Sequence, residues 1–439
     1  MKREDVENAE SSSISKLQGF QELIANISRY QLVGDFFNTR ATCRFIRSSL
    51  QDELPRMINQ MKPKSICFGM GCAFILNENH QLSILCYDKE EMGNYGWPEI
   101  SLESSNKPQK IPMLSGTCQM AVGVGHALFL KQDGTVYGWG NNETGQLGLG
   151  QEITQCDYPT CIPGLTNVIQ ISTSNASSLF LKEDGTVWAT GDNRDNQLGI
   201  SHISHETFEP IQIPGLNNII QVEATDGHSF FLNREGEVLG CGYDLRGELG
   251  LASERHYFTP TKIPNLSNIK QISAQKTHCF FLTHDGKVLA WGRNERGQLG
   301  TGNSHYYQNV VELPGLPKIA KVISGPTHTL FIDEEGGVWA CGDNSYGKLG
   351  MSGLPLMPTP VKIINFCDLE SASLGENLTV FFKADGSSYA SGNMESLGQP
   401  EHYAKPTPLK LLNQWQAAYS SFTKQPEEQE DRNNPGQTR

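Results

Sequence analysis

The sequence has no paired cysteines. Its eleven cysteines are scattered singly, an odd number, with no CxxC anywhere. That spacing fits neither a disulfide framework nor a zinc cluster. Excess positive charge is also missing: 35 Lys and Arg stand against 48 Asp and Glu, a formal net charge of −13. A chain with this balance lacks the broad basic field that holds nucleic acid, so direct nucleic-acid binding is not expected, whereas a basic protein partner is compatible. No run approaches the roughly 18 apolar residues of a membrane span. The opening "MKREDVENAESSSISK" lacks the apolar stretch of a secretion signal. No Ser-His-Asp order or carboxylate pair stands out, so no catalytic residue, metal or cofactor is expected. These absences imply a reducing compartment, cytoplasmic or nuclear.

What the chain does have is glycine, 44 of them, and one repeated phrase. "FLKQDGTVYGWG", "FLKEDGTVWATG", "FLNREGEVLGCG", "FLTHDGKVLAWG", "FIDEEGGVWACG" and "FFKADGSSYASG" place a turn glycine at Gly134, Gly185, Gly236, Gly286, Gly336 and Gly386. The steps are 51, 51, 50, 50 and 50 residues, and a worn seventh copy upstream carries His80 at that position. A fixed period near 50 signals an array of supersecondary units. Apolar alternation on both sides of Asp-Gly reads as a β-hairpin. The later glycine of each copy (Gly140, Gly191, Gly242, Gly292, Gly342, Gly392) ends the second strand of that hairpin where a side chain would crowd a neighbour. A Pro-containing strand and an alternating strand such as "VIQIS" follow, giving about four short strands per unit.

Four-stranded units repeated radially make a β-propeller. The reading is a mainly β fold, a seven-bladed propeller over 65–422. Its last segment, "PTPLKLLNQWQAAYSS", is expected to complete the first blade and close the ring, although Ser65–Phe68 and Gln416–Ser420 both read as the same strand of that blade. His126, His228, His278 and His328 share one repeat position, eight residues before each turn glycine, and are read as structural hydrogen-bonding groups rather than metal ligands. Function is expected on the variable loops, where Tyr158, Phe208, Tyr257, Phe258, Tyr306 and Tyr307 form a candidate partner-binding rim.

"DGTVYGWGNNETGQLG" and "DGKVLAWGRNERGQLG" resemble the repeats of the regulator of chromosome condensation family nearly in full. That resemblance implies protein partners. The family includes nucleotide-exchange factors for the small GTPase Ran, a plant UV-B photoreceptor and many scaffolds. The spacing of the intact copies leaves no room for the β-wedge that the founding exchange factor inserts into its GTPase. The photoreceptor's Gly-Trp-Arg-His-Thr stretch is absent, and the chain has only six tryptophans.

Residues 17–54 break the pattern. Leu17, Phe20, Leu23, Ile24 and Ile27 fall on one helical face. The stretch resembles an F-box at Glu22, Leu23, Ile27, Tyr30, Asp35, Cys43, Arg44 and Phe45, with Gly19 and Phe20 in place of the usual Leu-Pro. This resemblance implies a small α-helical F-box-like domain at 15–55, preceded by a disordered 1–14 and followed by a linker at 56–64. It also implies an adaptor that recruits a Skp–cullin ubiquitin ligase while the propeller holds a protein substrate. The competing expectations are an exchange factor or regulator of Ran or another small GTPase, and a non-catalytic scaffold. The tail 423–439 reads as disordered and acidic. It also looks like the glutamate-rich export signals of bacterial type IV effectors, which implies an effector in a host cytosol.

Overall fold

In the hairpin 126–141 the sequence sets the turn directly. The Asp133 carboxylate accepts hydrogen bonds from the Thr135 main-chain N–H (3.0 Å) and hydroxyl (2.6 Å), and Gly134 sits at φ +79°. The strands His126–Lys131 and Val136–Asn141 then pair with Leu130 opposite Val136 and His126 opposite Gly140. Asp184 and Thr186 repeat the same turn one unit on. Gly140 shows why the second glycine of each copy is fixed. It adopts φ +106°, and a Cβ there would collide with the Gly125 carbonyl.

The computed structural model describes residues 63–409 apart from 95, 98–107, 204, 245–246, 252–255, 276 and 398–400. All of them belong to one unit that begins at Gln60. They form seven antiparallel four-stranded sheets, here blades 1 to 7: 63–110, 117–161, 168–212, 219–262, 269–312, 319–367 and 369–408. The first strand of each blade touches the first strands of both neighbours, blade 1 against blade 7 included, so these strands ring the axis. Apolar clusters fill the interfaces between blades. Leu128, Leu130 and Leu147 of blade 2, for example, pack with Ile171 and Phe180 of blade 3. No helix among the described residues is long and apolar enough to cross a membrane.

Two expectations are corrected. The first blade is complete without the C-terminal segment, whose residues 410–421 lie outside the described residues. Blade 1 takes all four strands from contiguous chain, with Pro63–Gly69 on the inside and Gln109–Lys110 on the outside. The strand His402–Pro408 pairs within blade 7. Each blade therefore begins with the alternating strand and ends with the Pro-containing one, so Ser65–Phe68 already fills the inner position. No described sheet closes on itself; blades 7 and 1 meet through Ile66, Ala73 and Ile75 against Leu378, Val380 and Phe382. The second correction concerns helix. Among the described residues the one α-helix is α1 (Lys89–Asn94), six residues inside blade 1. The expected F-box-like domain at 15–55, with Glu22, Leu23, Ile27, Tyr30, Asp35, Cys43, Arg44 and Phe45, lies outside the described residues, as do 1–14 and 423–439.

Candidate functional site

The repeated residues turn inward. The glutamine of each "VIQIS"-type strand reaches across to the next blade. Gln119 accepts from the Ile171 N–H (3.0 Å) and donates to the Ile171 carbonyl (3.1 Å). Gln170 does the same with Val222, Gln221 with Ile272 and Gln271 with Val322. Each amide imitates a peptide group and carries the sheet hydrogen bonding round the axis from blade 2 to blade 6. Lys321 takes over at the next interface, donating to the Glu370 carbonyl at 3.0 Å.

The four histidines also face the framework, but only His126 and His328 make the expected hydrogen bond; neither ring nitrogen of His228 or His278 has a partner among the described residues. All are fully buried at the start of their blade's second strand. His126 Nε2 lies 3.4 Å from the Ser178 hydroxyl, and His328 Nε2 lies 2.7 Å from Thr379 Oγ1 of the next blade. Burial lowers the pKa to about 4 for His126, His228 and His278, and to about 3 for His328, where Lys348 adds to the effect. Among the described residues no group of three His, Cys, Asp or Glu side chains is placed to hold a metal.

The Gly-Gln-Leu-Gly turns clamp one blade to the next. A Cβ on Gly148 would strike Pro210, and one on Gly199 or Gly300 would strike Pro260 or Pro360. An asparagine opens four of these turns, and Asp244 opens the one in blade 4. Asn142 accepts from the Leu147 N–H at 2.8 Å, and Asn344 accepts from Leu349 and donates to the Met351 and Leu354 carbonyls.

What remains for partners is the loop surface. Of the rim residues, Tyr158 is 70% exposed, Phe258 56% and Tyr306 39%, on blades 2, 4 and 5 or the loop leading into one. Tyr257 is 8% exposed and belongs to the core between blades 4 and 5. Tyr307 packs against the cores on both sides of blade 5, and its hydroxyl accepts from Asn303 at 2.8 Å. Phe208 lines an open groove of about 550 Å³ together with Gln151, His202, His205 and Glu209. The rim phase was legible in the sequence, but the strand's alternation sends Tyr257 inward and Phe258 outward, opposite sides of one strand.

Two surface features gave no signal in the repeat pattern. The worn first copy has the longest connection between third and fourth strands, from Cys86 to Gln109. Its described part carries α1 and is pinned by buried Met92 and Trp97, whose indole N–H donates to the Val124 carbonyl at 3.2 Å. In blade 6, Tyr346 stands at φ 62° in its turn and stacks on His402, ring centroids 5.3 Å apart.

Seven blades joined by these turns define a propeller of the chromosome-condensation-regulator type. The chain belongs to the RCC1-like domain family: the model of that domain matches residues 144–424, and that of the regulator of chromosome condensation repeat matches 118–146. It is 30% identical over 179 residues to the mouse regulator of chromosome condensation, covering 39% of this chain and 41% of that protein. It is 32% identical over 213 residues to the human protein named probable E3 ubiquitin-protein ligase HERC6, covering 46% of this chain and 21% of that protein. The chain thus spans less than half the length of these relatives. Among solved structures, Prp20p from Saccharomyces cerevisiae superposes with a TM-score of 0.63 at 23% identity over 81% of this chain and 89% of that one. Human WBSCR16 gives 0.62 at 23% identity over 70% and 85%. These two likenesses establish the fold.

The matched residues leave 15–55 outside the family assignment, and the likeness found is to regulator-type propellers. The reading of the chain as an F-box adaptor for a Skp–cullin ligase is corrected accordingly.

Proposed function

We propose that this chain regulates a small GTPase of the Ran class, as a guanine-nucleotide exchange factor working through its loops. The observation that carries the reading is the run of regulator-type repeats over 118–424. It is supported by the relative named regulator of chromosome condensation and by Prp20p, a protein described with its binding properties to Gsp1p and histones. Exchange makes and breaks no covalent bond, so it asks for neither a nucleophile nor a metal from the chain. The regulator binds the nucleotide-free GTPase more tightly than the nucleotide-bound form. By linkage, nucleotide and regulator then weaken each other's hold by the same factor. The exposed aromatics Tyr158, Phe258 and Tyr306, with Phe208 in its groove, are proposed contact residues. Action in the nucleus or cytoplasm follows from the partner.

Complex formation tests this. The full chain should co-elute with nucleotide-free Ran-class GTPase and separate when excess GDP is added. If no complex forms, or if the complex is indifferent to GDP, the reading fails.

A further inference from the structure

Blade 6 departs from its siblings at one turn. Where the other turns carry Thr144, Asp195 and Arg296, this one carries Tyr346. Where they carry Gln146, Gln197, Glu248 and Gln298, this one carries Lys348. Among the described residues, nine non-glycine positions have positive φ, and eight of them are Asn, Asp or His. Tyr346, at φ 62°, is the exception. A bulky side chain in the left-handed region is a strained outlier, and such strain persists only where its surroundings enforce it.

The surroundings do enforce it. Gly347 on the C-terminal side also has positive φ (76°) and lies against Ala404 of blade 7, where a Cβ would clash. Ser345 donates to Asp343 from both its N–H (2.9 Å) and its hydroxyl (2.6 Å). Lys348, fully buried, binds Asp343 (2.8 Å), Thr327 (2.9 Å) and the Glu376 carbonyl of blade 7 (2.6 Å). This scaffold does not bury Tyr346, whose ring is 52% exposed and lies at 24° to the exposed His402 ring. The ring's aromatic contact among the described residues is the stack on His402, and asparagine or glycine would relieve the backbone. A rigid aromatic held outward on a preorganised turn is the form that contact hot spots take.

We propose that Tyr346, backed by His402, is a contact hot spot for the GTPase of the preceding section, on whose reading this inference rests. The tyrosine's place in a strained turn sacrifices stability for a fixed aromatic at the interface.

Three proteins test it: the full chain, Tyr346→Gly and Tyr346→Ala. Each is measured for denaturation midpoint and for affinity to the nucleotide-free GTPase by calorimetry. Glycine removes both strain and ring, whereas alanine removes the ring alone. The expected result is a midpoint for Y346G at or above that of the parent and above that of Y346A, with affinity at least tenfold weaker in both variants. Parent-level affinity in Y346G, with the parent still binding, overturns this inference and leaves the exchange reading standing. No binding by the parent overturns both. A Y346G variant less stable than Y346A would also overturn it, because the turn would then be unstrained and the tyrosine structural.

Discussion

The side-chain amide of Gln170 and the main chain of Val222 form a two-bond pair across the interface of blades 3 and 4. Nε2 donates to the carbonyl at 2.9 Å and Oε1 accepts from the N–H at 3.0 Å. The same pair recurs at Gln119, Gln221 and Gln271. Replacing Gln170 with methionine keeps the volume but leaves two main-chain groups of Val222 without partners. Chemical denaturation should show a loss of about 2–4 kcal/mol, from two unmade bonds at about 1–2 kcal/mol each.

Lys348 replaces the turn glutamine with a charge. Burial lowers its pKa against the pull of Asp343, and burial of Asp343 is outweighed by the bonds from Lys348 and Ser345, which hold that carboxyl below its ordinary value. Lys348→Met would strand a buried carboxylate, with an expected cost of about 3–5 kcal/mol. The double variant Lys348→Gln, Asp343→Asn should recover most of that loss. A cycle of Lys348→Gln, Asp343→Asn and the two together, followed by denaturation, measures the coupling.

Asp244 stands where Asn142, Asn193, Asn294 and Asn344 open the other turns. It keeps the acceptor role towards Leu249 (2.8 Å), but its Oδ2 is buried without a partner among the described residues, and burial raises its pKa to about 6. A carboxyl raised above its unfolded value costs stability as pH rises from about 4 through 6. Asp244→Asn should therefore stabilise the fold by about 1–3 kcal/mol at pH 8 and by much less at pH 4. Thermal midpoints of the two proteins at those pH values check the sign.

The buried histidines set the acid limit. Their folded pKa values lie near 3 to 4, below the ordinary value of about 6.5, so the unfolded chain takes up protons that the fold refuses. Stability is complete above about pH 6.5 and falls as pH drops towards 4, by at most about 3 kcal/mol for each of His126, His228 and His278. His228, edge-on to Phe230 at 5.3 Å, has neither ring nitrogen hydrogen-bonded in the described structure. His228→Phe should flatten the pH dependence of the denaturation midpoint below pH 6.5.

The blades and their turn glycines were readable because positive φ and hairpin alternation are local demands, written at a fixed period. The inner glutamines were visible in "VIQIS" and "IIQVE" but silent, because their partners lie about 52 residues away. Strand order failed for a related reason. Repeated units can be cut at any loop, and only the pairing of Gln109–Lys110 with Leu82–Cys86 shows where blade 1 ends. Tyr346 was hidden because "NSYGKLG" keeps the turn's outline while its strain exists only in the backbone angle. The F-box-like reading rested on a short motif with no periodic partner to check it against.

In the proposed function the repeated residues hold the ring while its loops act on a small GTPase. The most direct measurement is the release of fluorescent GDP from Ran, followed by stopped flow over a series of concentrations of the full chain. An exchange factor gives a release rate that climbs with concentration to a plateau, and the rate should fall back in Tyr346→Gly. A rate equal to that of the GTPase alone, at every concentration and across a panel of small GTPases, would contradict it.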